Sequence, residues 1–164
     1  MRRAVTAIAA LVAAVVAATT FAAPAQAAVR TLVQVTNGWC VRQISNYPDL
    51  RSCSTAPTSA RNWTFVNKGT YNGHQLWAFK NASTGKCIDS APLMVTCSAN
   101  SNYEKWEVFY VNTASGRRMA LKNLGAALHR GSHVCMTFRN PAGAAGNLLL
   151  RPCNIYDSLQ QFRP

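Results

Sequence analysis

Asn81-Ala82-Ser83-Thr84-Gly85-Lys86-Cys87-Ile88-Asp89, continuing through Cys97 to Trp106, is the stretch on which the reading of the chain turns. It places a cysteine behind a polar turn, a second cysteine ten residues on, and a large aromatic nine residues beyond that. The same skeleton occurs twice more, as Cys40, Cys53 and Trp63 before it and as Cys135, Cys153 and Phe162 after it. The first cysteines are 47 and 48 residues apart, and the step from second cysteine to aromatic is 10, 9 and 9. Shorter matches follow the same order. Trp63-Thr64-Phe65-Val66-Asn67 parallels Trp106-Glu107-Val108-Phe109-Tyr110-Val111-Asn112, and Ala78-Phe79-Lys80-Asn81 parallels Ala120-Leu121-Lys122-Asn123. A weaker counterpart, Val35-Thr36-Asn37, precedes Cys40. Three ordered copies at one period are an internal repeat, and the repeat governs the fold.

The start of the chain has a different character. Arg2 and Arg3 precede an apolar run from Ala7 to Ala18, and Ala25-Gln26-Ala27 is a small-x-small cleavage site, so residues 1–27 read as a secretory leader. A membrane-spanning helix is the competing reading, but the run is too short and its flank is wrong for one. No cysteine follows the cleavage site to carry a lipid anchor, and no other stretch approaches a transmembrane length. The expected mature chain, residues 28–164, is one domain large enough for a core of its own. Its three copies fall roughly at 31–75, 76–117 and 118–164.

Six cysteines in an exported chain form a disulfide framework, and six allow 15 pairings. The repeat selects one of them: Cys40–Cys53, Cys87–Cys97 and Cys135–Cys153, a closed loop in each copy. Zinc is the alternative, but there is no C-x-x-C pair and the spacings are too long for paired ligands.

Between the cysteines the chemistry is that of short strands and turns. Thr31 to Thr36 alternates in the period-2 manner of a half-buried strand, and Leu76–Phe79, Val108–Val111, Met119–Leu121 and Leu148–Leu150 are short β-prone or apolar runs. Asn37-Gly38, Lys68-Gly69, Asn72-Gly73, Thr84-Gly85 and Ser115-Gly116 read as turns between them. No helical stripe persists for three turns after the leader. The expectation is an all-β fold with four strands per copy about a pseudo-threefold axis. Leu124–Ser132 and the Gly/Ala/Pro-rich Asn140–Asn147 read as surface loops inserted in the third copy.

Thr84-Gly85-Lys86-Cys87-Ile88-Asp89, then Cys97, then Glu104-Lys105-Trp106, resembles the ricin-type β-trefoil repeat, which runs Gly-Lys-Cys-Leu-Asp, a second cysteine and Gln-x-Trp. Gln160-Gln161-Phe162 is a near match to the last element, and Arg61-Asn62-Trp63 keeps its aromatic but not its glutamine. The resemblance covers essentially all of residues 28–164. It implies a β-trefoil whose core is filled by Trp63, Trp106 and Phe162, rings large enough to dominate it.

The resemblance also implies a sugar site in each copy, and most of its positions are altered here. Its aspartate, two residues after the first cysteine, is matched by Asp89, whereas the other copies carry Arg42 and Thr137. Its stacking ring, two residues before the second cysteine, is replaced by Arg51, Val95 and Arg151. The second copy alone keeps a carboxylate pair, Asp89 and Glu104, with Tyr103 as a displaced ring. Asp89, Tyr103 and Glu104 are therefore the candidate ligand-binding residues. The plainer alternative is an aspartate that caps backbone N–H groups in a turn.

Nothing in the sequence calls for an enzyme or a cofactor. G-x-S-x-G, H-E-x-x-H and P-loop motifs are absent, and His74, His129 and His133 read as ordinary solvated or hydrogen-bonded side chains. The whole chain carries 17 Lys+Arg against 5 Asp+Glu; without Arg2 and Arg3 the excess falls from +12 to +10. The cations are dispersed, which suits attraction to an acidic cell-envelope polymer or glycan, or to an acidic protein. Nucleic acid is a poor target for an exported chain. Two functions remain: a secreted, non-catalytic lectin-like module with a degenerate site at Asp89, or a protein-interaction subunit such as a toxin accessory or an inhibitor-like trefoil. Asn62 and Asn81 both head N-x-S/T sequons.

Overall fold

The computed structural model describes residues 28–139 and 146–164. The leader, its cleavage site and residues 140–145 of the third-copy loop lie outside the described residues. The first copy contains strands β1 (Val29–Thr31), β2 (Val33–Gln34), β3 (Trp39–Ile44) and β4 (Tyr47–Ser52), a one-turn helix α1 (Thr58–Arg61), and β5 (Asn62–Tyr71). The second contains β6 (His74–Asn81), β7 (Lys86–Ile88), β8 (Met94–Thr96) and β9 (Trp106–Thr113). The third contains β10 (Gly116–Asn123), helix α2 (Leu124–Arg130), β11 (Val134–Arg139), β12 (Gly146–Pro152) and β13 (Gln161–Arg163).

Register makes the threefold relation explicit. Within each copy the first and last strands pair antiparallel, with Arg30 opposite Trp63, Trp77 opposite Trp106 and Met119 opposite Phe162. Each last strand then pairs with the first strand of the next copy, with Trp63 opposite Asn81, Trp106 opposite Asn123 and Phe162 opposite Gln34. The last of these pairings closes a barrel of six strands, β1 and β2 acting as one strand interrupted at Leu32. The remaining strands form the hairpins β3–β4, β7–β8 and β11–β12, one per copy.

The core is built from residues at equivalent positions of the three copies. Trp63, Trp106 and Phe162 form one such set, Leu32, Phe79 and Leu121 a second, and Val41, Ile88 and Met136 a third. All nine are fully buried and belong to one cluster. The indole N–H of Trp63 donates to the Val41 carbonyl at 2.8 Å and that of Trp106 to Ile88 at 3.2 Å, so each ring is satisfied by the residue after the first cysteine of its own copy. The disulfides are Cys40–Cys53, Cys87–Cys97 and Cys135–Cys153, one inside each copy, as the repeat predicts. Loops of 13, 10 and 18 residues contribute about 3 kcal/mol apiece by restricting the unfolded chain.

Four local expectations differ from the structure. The counterpart of Asn81 and Asn123 in the first copy is Gln34, not Asn37. Asn81 Nδ2 donates to the Ala60 carbonyl and Asn123 Nδ2 to that of Tyr103, while Gln34 Nε2 reaches Ser158 O with its longer side chain. Lys68-Gly69 is a bulge inside β5, where the register shifts between Asn67 and Thr70, and Asn67 Oδ1 accepts from the Gly69 N–H. The true reversal is Asn72-Gly73, whose φ angles of 48° and 79° are those of a tight hairpin turn. Leu124–Arg130 is a helix rather than a loop, capped by Asn123 Oδ1 on the Ala126 N–H and ended by Gly131 at φ 61°. Finally, β12 begins at Gly146 and takes in Asn147 from the expected loop. Asn81 is fully buried with both amide atoms bonded, so its sequon is closed to glycan addition in the folded chain.

Candidate functional site

The turn after β7 brings Asp89 to the surface of the second hairpin. Its Oδ1 accepts from the N–H groups of Ala91 and Leu93 at 2.8 and 2.9 Å, and its N–H donates to the Leu93 carbonyl. One carboxylate oxygen thus organises the turn, leaving Oδ2 without such a role. Glu104 is 3% exposed, and its Oε2 accepts from the Ser98 N–H at 2.8 Å.

The other copies explain Glu104. At the equivalent place, two residues before the core ring, Gln160 accepts from the Asn154 N–H and donates to the Pro152 carbonyl. Arg61 there donates to the Cys53 carbonyl. In all three copies this residue clamps the backbone beside the second cysteine, and Glu104 does so with a carboxylate.

Tyr103 is half-buried beneath α2. A Cβ placed on Gly125 would lie 2.5 Å from Tyr103 Cδ1 and 2.7 Å from its Cα, so only glycine permits the helix to sit this close. The His129 ring lies 5.3 Å from that of Tyr103, and the Arg130 guanidinium carbon 5.8 Å from its centre. The helix belongs to the third copy yet covers the second. Twelve residues separate Asn123 from Cys135, where six separate Asn81 from Cys87 and Gln34 from Cys40.

Asp89, Tyr103 and Glu104 line one shallow cleft of about 400 Å³, with Val95, Ser101 and Arg130 around it. Arg130 is the residue that sequence reasoning did not single out. Its only signal was the six-residue excess before Cys135, because contact between copies is invisible to a pattern read within one copy. The cleft offers a carboxylate oxygen, a guanidinium, hydroxyl groups and a partly covered ring, a donor and acceptor set suited to a polar ligand.

The equivalent positions in the other copies are filled from within. Arg42 makes a bidentate pair with Asp49, Nε to Oδ1 at 2.7 Å and Nη2 to Oδ2 at 2.9 Å, and both residues are buried. The hydrogen bond that Arg42 donates to Asp49, more than the charge of Asp49, raises the Arg42 pKa above the usual arginine value, against an opposing push from burial. Thr137 is buried, and its hydroxyl donates to the Cys135 carbonyl. Arg51 and Arg151 are exposed on β4 and β12.

Every Asp and Glu side chain among the described residues is engaged. Asp49 holds Arg42, Glu107 lies 2.9 Å from Lys122 Nζ, Asp157 caps the Leu159 N–H, and Asp89 and Glu104 bind backbone. The positive excess is therefore poorly neutralised from within. Cys87, Cys97 and Glu104 form the one cluster of metal-ligand types among the described residues, and their sulfurs are joined to each other, which leaves no thiolate to offer. His74 packs against Phe109 at 4.2 Å between ring centres, and no histidine there pairs with a carboxylate. No described helix is long and apolar enough to cross a membrane.

No family model matches this chain, and no curated protein matches it in sequence. Solved structures do match it in shape. The cytolethal distending toxin of Haemophilus ducreyi is 16% identical over 80% of each chain, with a TM-score of 0.63. That of Actinobacillus actinomycetemcomitans is 18% identical over 80% of this chain and 87% of the other, with a TM-score of 0.62. ThreeFoil, a designed threefold-symmetric protein, is 16% identical over 81% of this chain and 94% of its own, with a TM-score of 0.59. At these identities the likeness establishes architecture alone. Closed barrel, three hairpins and threefold register together make the chain a β-trefoil.

Proposed function

We propose that this protein is an exported, non-catalytic binding module of the ricin type that takes a polar glycan in the cleft of its second copy. The observation that carries the reading is the convergence of Asp89, Tyr103, Glu104 and Arg130 on one cleft, in the single copy that keeps the aspartate. Asp89 Oδ2 accepts from sugar hydroxyls, and Arg130 donates to a hydroxyl or to the carboxylate of an acidic sugar. Three disulfides suit the oxidising side of a membrane, in keeping with a leader at residues 1–27. The unneutralised cations draw the module to acidic envelope polymers, and the cleft supplies the selection.

The test is an array of neutral and acidic glycans probed with the wild-type protein and with Asp89→Asn. Asparagine keeps an oxygen for the Ala91 and Leu93 N–H groups but removes the charge, so the turn survives. Saturable binding weakened by about tenfold or more in the variant supports the site, since a hydrogen bond to a charged group contributes about 1.5–3 kcal/mol. Binding that survives in Asp89→Asn and collapses in 0.5 M salt reduces the interaction to charge and rejects the cleft. Silence across the array favours a protein-interaction subunit. The exposed Tyr47, Tyr156 and Leu159 side chains are apolar groups for such a partner to cover.

A further inference from the structure

A second, larger hollow lies among the barrel strands, lined by residues quite distinct from those of the Asp89 cleft. Its volume is about 440 Å³. Phe65, Trp77, Phe79, Tyr110 and Met119 form its wall, and Arg30 and Arg117 stand beside them. The aromatic wall is already rigid. Phe65 meets Phe79 edge-on at 4.9 Å and Trp77 at 6.2 Å. Tyr110 is fixed at its hydroxyl by Gln75, and the Arg117 guanidinium lies over its ring at 3.5 Å from the centre. Stacking spends the face of the guanidinium but leaves its N–H edge available. Pro164 and Ala28 also border the hollow. All five Asp and Glu side chains are engaged elsewhere, and neither Arg30 nor Arg117 forms an ion pair among the described residues, with Pro164 or with any other group.

We infer that this hollow is a binding site for a small monoanionic amphiphile: a carboxylate or sulfonate head held by Arg117 and Arg30, on a flat aromatic or short acyl body laid along Phe65, Trp77 and Met119. The volume falls within the range of about 300–1,000 Å³ usual for small-molecule pockets, and an apolar wall with a few convergent polar groups is their usual composition. A neutral apolar guest leaves the arginines unanswered, and a simple inorganic anion leaves the wall in water. An anionic amphiphile satisfies both. The inference is independent of the glycan reading and stands if that reading fails.

The test uses 1-anilinonaphthalene-8-sulfonate, an aromatic monoanion, titrated against the purified protein with energy transfer from tryptophan as the readout. One saturable site per chain is expected, with Trp77 in the wall as the donor. Arg117→Gln weakens it about tenfold or more, Met119→Trp fills the hollow and abolishes it, and Asp89→Asn leaves it unchanged. Near-ultraviolet circular dichroism establishes that each variant is folded. The neutral N-phenyl-1-naphthylamine binds at least about tenfold more weakly, whereas decanoate competes. The inference is overturned by several weak sites per chain, by an affinity unchanged in folded Arg117→Gln, or by equal binding of the neutral dye.

Discussion

Trp106→Ala lowers the unfolding free energy by about 3–5 kcal/mol, read as a shift of the denaturant midpoint at unchanged slope. The residue is fully buried at the pairing of β9 with β6 and β10, so truncation opens a cavity that three neighbouring strands cannot collapse together. It also leaves the Ile88 carbonyl without its indole donor. Trp106→Phe is milder. It keeps one ring in place while removing the N–H and part of the indole volume, for a smaller loss of about 2 kcal/mol. The third copy supports that ordering, since Phe162 occupies the equivalent position without any N–H to give. A loss below 1 kcal/mol for Trp106→Ala shows that the ring is not part of the core.

Asp49→Ala costs about 3 kcal/mol, more than an exposed ion pair ever returns, because it leaves the Arg42 guanidinium buried without its bidentate partner. The companion double variant Arg42→Met/Asp49→Leu recovers most of that loss, since charge and counter-charge depart together. Both are read from the same denaturant curves. The pair should show no pH dependence of arginine origin near neutrality. A cation whose folded pKa is raised stabilises fully below its unfolded value and loses that contribution only as the pH climbs through the folded value, far into alkali. If Asp49→Ala is as stable as wild type, the pair is a solvated surface contact.

The fold was legible because its symmetry is written in covalent and aromatic landmarks that tolerate little drift. A disulfide needs two cysteines, and the core needs a large ring nine or ten residues later. What failed was legible only in three dimensions. Gln34 stands in for asparagine because its extra methylene reaches a carbonyl one residue further away, and no spacing rule contains that exchange. Lys68-Gly69 carries the same letters as a turn, and only the pairing of Asn67 with Trp77 on one side and Thr70 with Gln75 on the other makes it a bulge. Helix α2 is two turns long, too short to declare a stripe, and its packing on Tyr103 joins residues from different copies. The candidate site was legible in Asp89, Tyr103 and Glu104 as a set. The clamping role of Glu104 became visible only beside Gln160 and Arg61.

Barrel closure through Phe162 and Gln34 has a mechanical side. The final seam is a short antiparallel contact, Phe162 with Gln34 and Arg163 with Val33, so tension applied across the two flanks loads its hydrogen bonds one after another rather than all at once. A seam of two paired positions offers the molecule little resistance to such a pull. How far it then stretches is limited by sulfur. The loops of 13, 10 and 18 residues stay knotted and withhold on the order of 130 Å of extension at about 3.6 Å per residue.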